Sequence, residues 1–172
     1  MVGSSAFAGI VAIVAVIAAV VLVHRFVVFP AVVRSDAMRP VLEPGDVLLT
    51  SRVRRRSRLR RGEVLVYRAP DRTGTSFRRL IGLPGDRVQI AADGIVYVNG
   101  DPVFEPYARR AGGFRGAFAV PADRYFVLSD RRDASLDTRT WRESFVPTGD
   151  VVGVARVRLL PWPIAATGVL AR

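Results

Sequence analysis

The chain has 172 residues, half of them hydrophobic, with one histidine and no cysteine. Disulfides and thiolate metal sites are therefore excluded, and a histidine-based metal centre lacks ligands. All 26 basic side chains are arginine, set against 15 acidic ones for a formal charge of +11, and such a length fits one ordinary domain plus an anchor.

Residues 1–5 form a short tail without a basic side chain. From residue 6 to residue 23 there is no charged or strongly polar side chain. As a helix this stretch rises about 27 Å, close to the roughly 30 Å of bilayer hydrocarbon. The apolar character resumes after His24 and Arg25, so the expected transmembrane anchor is 6–30. A cleaved export signal is the rival reading, but it calls for a basic start and a shorter apolar core.

After Pro30 the helical signal stops, and the expected domain is residues 31–162, mainly β, followed by a tail at 163–172. Short runs rich in Val, Leu, Ile, Tyr and Phe predict strands at 47–53, 63–68, 76–82, 87–90, 95–98, 124–129 and 151–159. Turn signals separate them: Pro44-Gly45-Asp46, Arg61-Gly62, Pro84-Gly85-Asp86, Asp93-Gly94, Asn99-Gly100 and Gly149-Asp150. Asn99-Gly100 predicts a hairpin of the type I′ kind. Residues 108–116, rich in Arg and Gly, read as an exposed loop.

Seven of the ten residues 52–61 are arginine. No aromatic is interleaved for base stacking and no nucleic-acid fold signature accompanies the run, so nucleic acid is not an expected partner. Beside an anchor the simpler uses are a solvated loop or membrane lipid, at about 1 kcal/mol per basic residue near anionic head groups. No cofactor motif is present. The glycine of Leu83-Pro84-Gly85-Asp86 makes a turn rather than a phosphate cradle, and no metal-ligand pattern appears.

Three blocks carry a resemblance. The first is Ser35-Asp36-Ala37-Met38-Arg39-Pro40 followed by Pro44-Gly45-Asp46-Val47. The second is Arg78-Arg79-Leu80-Ile81-Gly82-Leu83-Pro84-Gly85-Asp86, continuing to Tyr97-Val98-Asn99-Gly100. The third is Ser129-Asp130-Arg131-Arg132-Asp133-Ala134-Ser135-Leu136-Asp137-Thr138-Arg139. In order and spacing they resemble the bacterial type I signal peptidases, serine–lysine enzymes with a β domain of antiparallel sheets on an N-terminal transmembrane helix. The resemblance implies a single-pass cell-membrane protein with its β domain on the extracytoplasmic face. Arg25, Arg34 and Arg39 oppose that orientation by charge bias, which is weak evidence for a large following domain.

The resemblance also assigns roles. The nucleophile position holds Ala37 and the general-base position holds Arg78. Ala37 has no heteroatom with which to form an acyl-enzyme. A guanidinium, with a pKa above roughly 12, cannot take a proton from a hydroxyl. Ser35 matches an oxyanion-stabilising serine. As a substitute nucleophile it would lie roughly 6–7 Å away along an extended segment and would still lack a base. Ser135 matches the serine that orients the catalytic lysine, and Asp137 with Arg139 matches an ion pair that supports the site wall. Ser129, Arg131 and Ala134 depart from the family's Gly, Asn and Asn. Arg78 is expected to turn toward Asp137, since a buried guanidinium without a carboxylate is costly.

The resulting expectation is a catalytically inactive signal-peptidase-like protein that binds or presents an exported protein or signal-peptide segment at the membrane. An active signal peptidase or another export component is a further expected partner. The alternatives are a working peptidase with a non-standard site, and a membrane assembly partner that binds no peptide.

Overall fold

The computed structural model describes residues 2–54, 58–69, 74–109, 115–132, 144–161 and 164–165. It opens with one helix, α1 (Val2–Phe26), and continues almost entirely in antiparallel strands. Side chains of α1 are described for residues 7–22, all exposed, the large hydrophobic ones to between 50 and 70 %. Among the described residues no helix is long and apolar enough to cross a membrane.

The expected anchor ran to residue 30, but the helix stops at Phe26 and strand β1 (Val28–Val32) begins two residues later. The reason is pairing. β1 lies antiparallel to β2 (Val47–Arg52), with Val28 opposite Ser51 and Val32 opposite Val47. β-branched valines suit a pleated surface, and Pro30 is tolerated because β1 is an edge strand.

The larger sheet adds β3 (Val64–Arg68), β4 (Thr75–Gly82), β9 (Arg124–Leu128), β10 (Phe145–Pro147) and β11 (Val151–Leu160). Its order is β1-β2-β11-β3-β4-β9-β10, and a short β12 (Ile164–Ala165), expected to be tail, pairs with β11. The smaller sheet has the order β7-β6-β5-β8, from β5 (Arg87–Ile90), β6 (Val96–Val98), β7 (Asp101–Pro102) and β8 (Gly116–Ala119). The β6–β7 turn is the predicted type I′: Asn99 and Gly100 have φ of 55° and 95°, and Val98 pairs with Asp101.

Alternation along β3 divides the core. Val64 and Val66 pack with Met38, Leu42, Leu48 and Phe77 on one face. Leu65 and Tyr67 pack with Leu80, Val127 and Val154 on the other. A third cluster, from Ile81 and Val88 to Phe126 and Leu128, joins the two sheets. There the ring of Phe126 lies 4.9 Å from Phe118 and 5.3 Å from Phe145. Gly153 marks the tightest approach between strands, since a Cβ there would fall 2.5 Å from the Thr50 methyl and 2.8 Å from the Ser51 carbonyl oxygen.

Candidate active site

Residues 33–46 leave the sheet between β1 and β2 as a closed excursion. Its ends are tied by Val33 N donating to Asp46 O (2.9 Å) and Gly45 N donating to Val33 O (2.9 Å). Met38 and Leu42 are buried beneath it, and the buried Asp46 carboxylate accepts from Glu43 N (3.0 Å) and Arg158 Nη1 (3.2 Å). Two apolar plugs and one carboxylate therefore fix a loop whose half-buried crest is Ser35, Asp36 and Ala37. Among the described residues the Ser35 hydroxyl has no hydrogen-bond partner, and Ala37 is held only through its carbonyl, which accepts from Arg131 N (3.0 Å). The Asp36 carboxylate pairs with the Arg131 guanidinium.

β4 carries the second block. Arg78 lies opposite Leu65 and shares the face of Leu65 and Leu80, whereas the 33–46 loop sends Met38 and Leu42 onto the Phe77 face. The Arg78 guanidinium turns back on its own strand, Nη1 donating to the Phe77 carbonyl (2.8 Å), and no carboxylate among the described residues accepts from it. Asp137, its expected partner, lies outside the described residues, as do Ser135 and Arg139.

The neighbouring Arg79 links the blocks instead. It is wholly buried, as is Asp130, which follows β9. Arg79 Nε donates to Asp130 Oδ1 (3.0 Å), Nη2 pairs with Oδ2, and Nη1 donates to the Gly62 carbonyl (2.8 Å). Its guanidinium carbon lies 4.0 Å from the centre of the Tyr107 ring. A few ångströms away the buried Arg132 donates through Nη1 to Glu105 (2.8 Å) and pairs with it through Nη2. The Tyr107 hydroxyl donates to Glu105 (3.3 Å), joining both pairs. Burial, helped by the Glu105 carboxylate, pushes the Tyr107 phenol well above its usual range, so it stays protonated. Burial alone would lower the Arg132 pKa, but Glu105 reverses this and holds it above the ordinary value.

Because Arg79 holds Asp130, it also fixes residues 130–132, and with them the Arg131 N–H against Ala37. Nothing in the sequence marked Tyr107, Glu105 or the Asp36–Arg131 pair. For Arg79 a signal was available, since Phe77, Arg79 and Ile81 share one face of β4 and both apolar members are core.

Asp86 organises the turn that ends the second block. It accepts from Leu83 N (2.6 Å), from Arg61 Nη2 (2.8 Å) and from Asn99 Nδ2 (2.9 Å). Burial works to raise its pKa, but these donors together hold the carboxyl below the usual carboxylate range. One member of the arginine run, Arg61, is thereby a structural partner of the Pro84-Gly85-Asp86 turn. Among the described residues there is no group of His, Asp or Glu able to hold a metal ion.

Residues 7–162 match the family described as "Signal peptidase, peptidase S26". A "Probable signal peptidase I-2" of Synechocystis sp. is 35% identical over 156 residues, covering 86% of this chain and 69% of that one. A "Signal peptidase I" of Leptolyngbya laminosa is 32% identical over 158 residues, covering 86% and 75%. Among solved structures, a signal peptidase I from Enterococcus faecalis is 28% identical and covers 57% of this chain and 97% of that one, with a TM-score of 0.47.

Breaking a buried ion pair from one side leaves the other charge stranded, at about 3–5 kcal/mol. Asp130→Asn should therefore lower unfolding stability by about 3 kcal/mol in chemical denaturation. Asp123→Asn, at an exposed ion pair, should change it by less than about 0.5 kcal/mol. Equal losses in the two variants would contradict the role given to Arg79 and Asp130.

Proposed function

Because the chain belongs to the signal peptidase family, peptidase S26, we propose that it is a membrane-anchored member that holds exported segments without cutting them. One observation carries the reading: the positions matching the nucleophile and the base are Ala37 and Arg78. Hydrolysis through an acyl-enzyme needs an attacking hydroxyl and a group able to take its proton. A methyl group supplies neither, and a guanidinium gives up no proton near neutral pH. The Arg78 guanidinium bonded to the Phe77 carbonyl, on the face shared with Leu65 and Leu80, fits a side chain retained for packing rather than proton transfer.

What a peptide holder needs does not depend on that chemistry. An extended segment is bound by main-chain pairing and small side-chain pockets. The crest at Ser35 to Ala37 offers polar groups with few internal partners on a rigidly supported loop. The second reading is a working signal peptidase, favoured by the names of the relatives and by the unpartnered Ser35 hydroxyl. It leaves the proton unaccounted for.

The proposed anchor is α1. Its described side chains 7–22 are apolar or glycine and find no cover from the rest of the chain, and because that run rises only about 24 Å, short of the roughly 30 Å of bilayer hydrocarbon, a span has to draw on the residues flanking it. At its end Arg54 Nη2 donates to the Phe26 carbonyl (3.0 Å), and Arg52 stacks over Phe29 at 4.6 Å, so part of the arginine run sits where the helix meets the domain. That placement suits contact with anionic lipid head groups. We assign the β domain to the extracytoplasmic face. Protease added to intact spheroplasts that express the full chain should digest it, and complete protection would reverse the orientation.

The catalytic reading is tested with purified full-length protein in detergent and an exported precursor. The expected result is a precursor of unchanged mass that nevertheless cross-links to residues 35–38. Processing that Ser35→Ala abolishes would establish the working peptidase instead.

A further inference from the structure

We propose that two copies of this chain pair edge to edge through strand β8, an inference that holds whether the protein cuts its client or only holds it. The small sheet runs β7-β6-β5-β8, so β8 has a neighbouring strand on one side only. Hydrogen bonds at the strand ends fix which way each residue faces. Asn99 N donates to Arg87 O (2.8 Å) and Ala91 N to Ile95 O (2.9 Å), so Arg87, Gln89 and Ala91 turn their main chain toward β6. Val120 N donates to Asp86 O (2.8 Å), so Asp86, Val88 and Ile90 turn theirs toward Val120, Phe118 and Gly116. By antiparallel alternation the N–H and C=O groups of Ala117 and Ala119 then point away from the sheet. Both residues are exposed, and among the described residues neither outward group has a partner.

The other described edges are blunted against such pairing. Pro30 stands in edge strand β1 and Pro147 in edge strand β10, and a proline offers no N–H to a new neighbour. β7 and β12 are two residues long, and Pro102 ends β7. β8 carries none of these devices. Its residues Gly116-Ala117-Phe118-Ala119 include no proline and no charge, and it is as long as the strand it covers, β5. Its outward-facing side chains are methyl groups, which leave the main chain open to approach.

A second β8 is the occupant that this edge fits. Its free groups lie one residue to either side of Phe118, so a two-fold axis at that point sets Ala117 opposite Ala119 of the partner subunit, and the reverse. Each facing pair exchanges two main-chain hydrogen bonds, and the two small sheets become one continuous sheet. Pro121, without an N–H, ends the pairing and comes opposite Arg115 of the partner subunit. There the chain turns, with Arg124 N donating to Pro121 O (3.2 Å), and the turn presents Asp123. Asp123 is 75 % exposed and meets Arg124 only at 4.0 Å, while Arg115 is exposed and has no ion-pair partner among the described residues. Antiparallel pairing brings these opposite charges within reach of each other at both ends, whereas parallel pairing would set Arg115 against its own copy.

The chain has no cysteine, so introduced thiols report the pairing without background. Full-length Ala117→Cys and Ala119→Cys proteins in detergent are oxidised mildly, apart and mixed. Facing residues stand about 5.5 Å apart at Cα, within disulfide reach, whereas the diagonal Ala117–Ala117 separation of about 7–8 Å lies outside it. The mixture should therefore give a covalent dimer, and each variant alone should give none. Sedimentation of the unmodified protein should show dimer growing with concentration. Ala117→Pro removes an outward N–H from each copy, hence two hydrogen bonds per dimer, and should raise the dissociation constant about tenfold. Ala119→Lys, which leaves the contacts with β5 in place, should also weaken the dimer, so a folding defect in the proline variant would not decide the question. A monomer at every concentration, or a dimer that Ala119→Lys leaves unchanged, would overturn the proposal. So would a monomer whose residue 119 cross-links to an exported precursor, since the edge would then belong to a client strand.

Discussion

A guanidinium and a carboxylate, both removed from water, fix the geometry around the crest. Arg79 and Asp130 come from β4 and from the segment after β9, and each would be costly to bury without the other. Their pairing sets the position of residues 130–132. From there the Arg131 N–H reaches Ala37, and Arg132 reaches Glu105. Tyr107 seals the arrangement, its ring against Arg79 and its hydroxyl on Glu105. The main-chain contact that holds Ala37 follows from this network, and none of its members occupies a position matching the nucleophile or the base.

That separation makes a non-cleaving member of the family physically reasonable. The supports of the crest are Met38, Leu42 and Asp46 from below and Arg131 from the side. Exchanging a hydroxymethyl group for a methyl group at position 37 disturbs none of them. An arginine at position 78 is also accommodated, because it satisfies itself on the Phe77 carbonyl. The fold therefore exerts no pressure to keep the reacting groups, while the shape of the 33–46 loop persists through contacts that lie elsewhere.

Much of this was legible beforehand, for identifiable reasons. Short runs rich in Val, Leu, Ile, Tyr and Phe between turn signals located β2, β3, β4, β5, β6, β9 and β11 to within a residue or two at their ends. Asn99-Gly100 specified its turn because both residues must adopt positive φ. The family followed from three spaced blocks. Other elements were hidden because tertiary pairing makes them: β1 read as the end of the apolar helix until its valines met β2, and β12 read as tail until it met β11. Asp101–Pro102 and Phe145–Pro147 are too short, and Gly116–Ala119 too poor in β-branched and aromatic residues, to stand out as strand-forming runs. At the site the family resemblance marks Arg78, whereas Arg79 makes the buried ion pair. Their difference lies in which face of β4 each occupies, and that depends on the register with β3.

The central claim is that no covalent intermediate can begin at this site, and intact-mass spectrometry tests it most directly. After incubation of the full-length protein with a serine-directed acylating inhibitor, the account predicts an unchanged mass. A stoichiometric ester on Ser35, absent from Ser35→Ala, would contradict it.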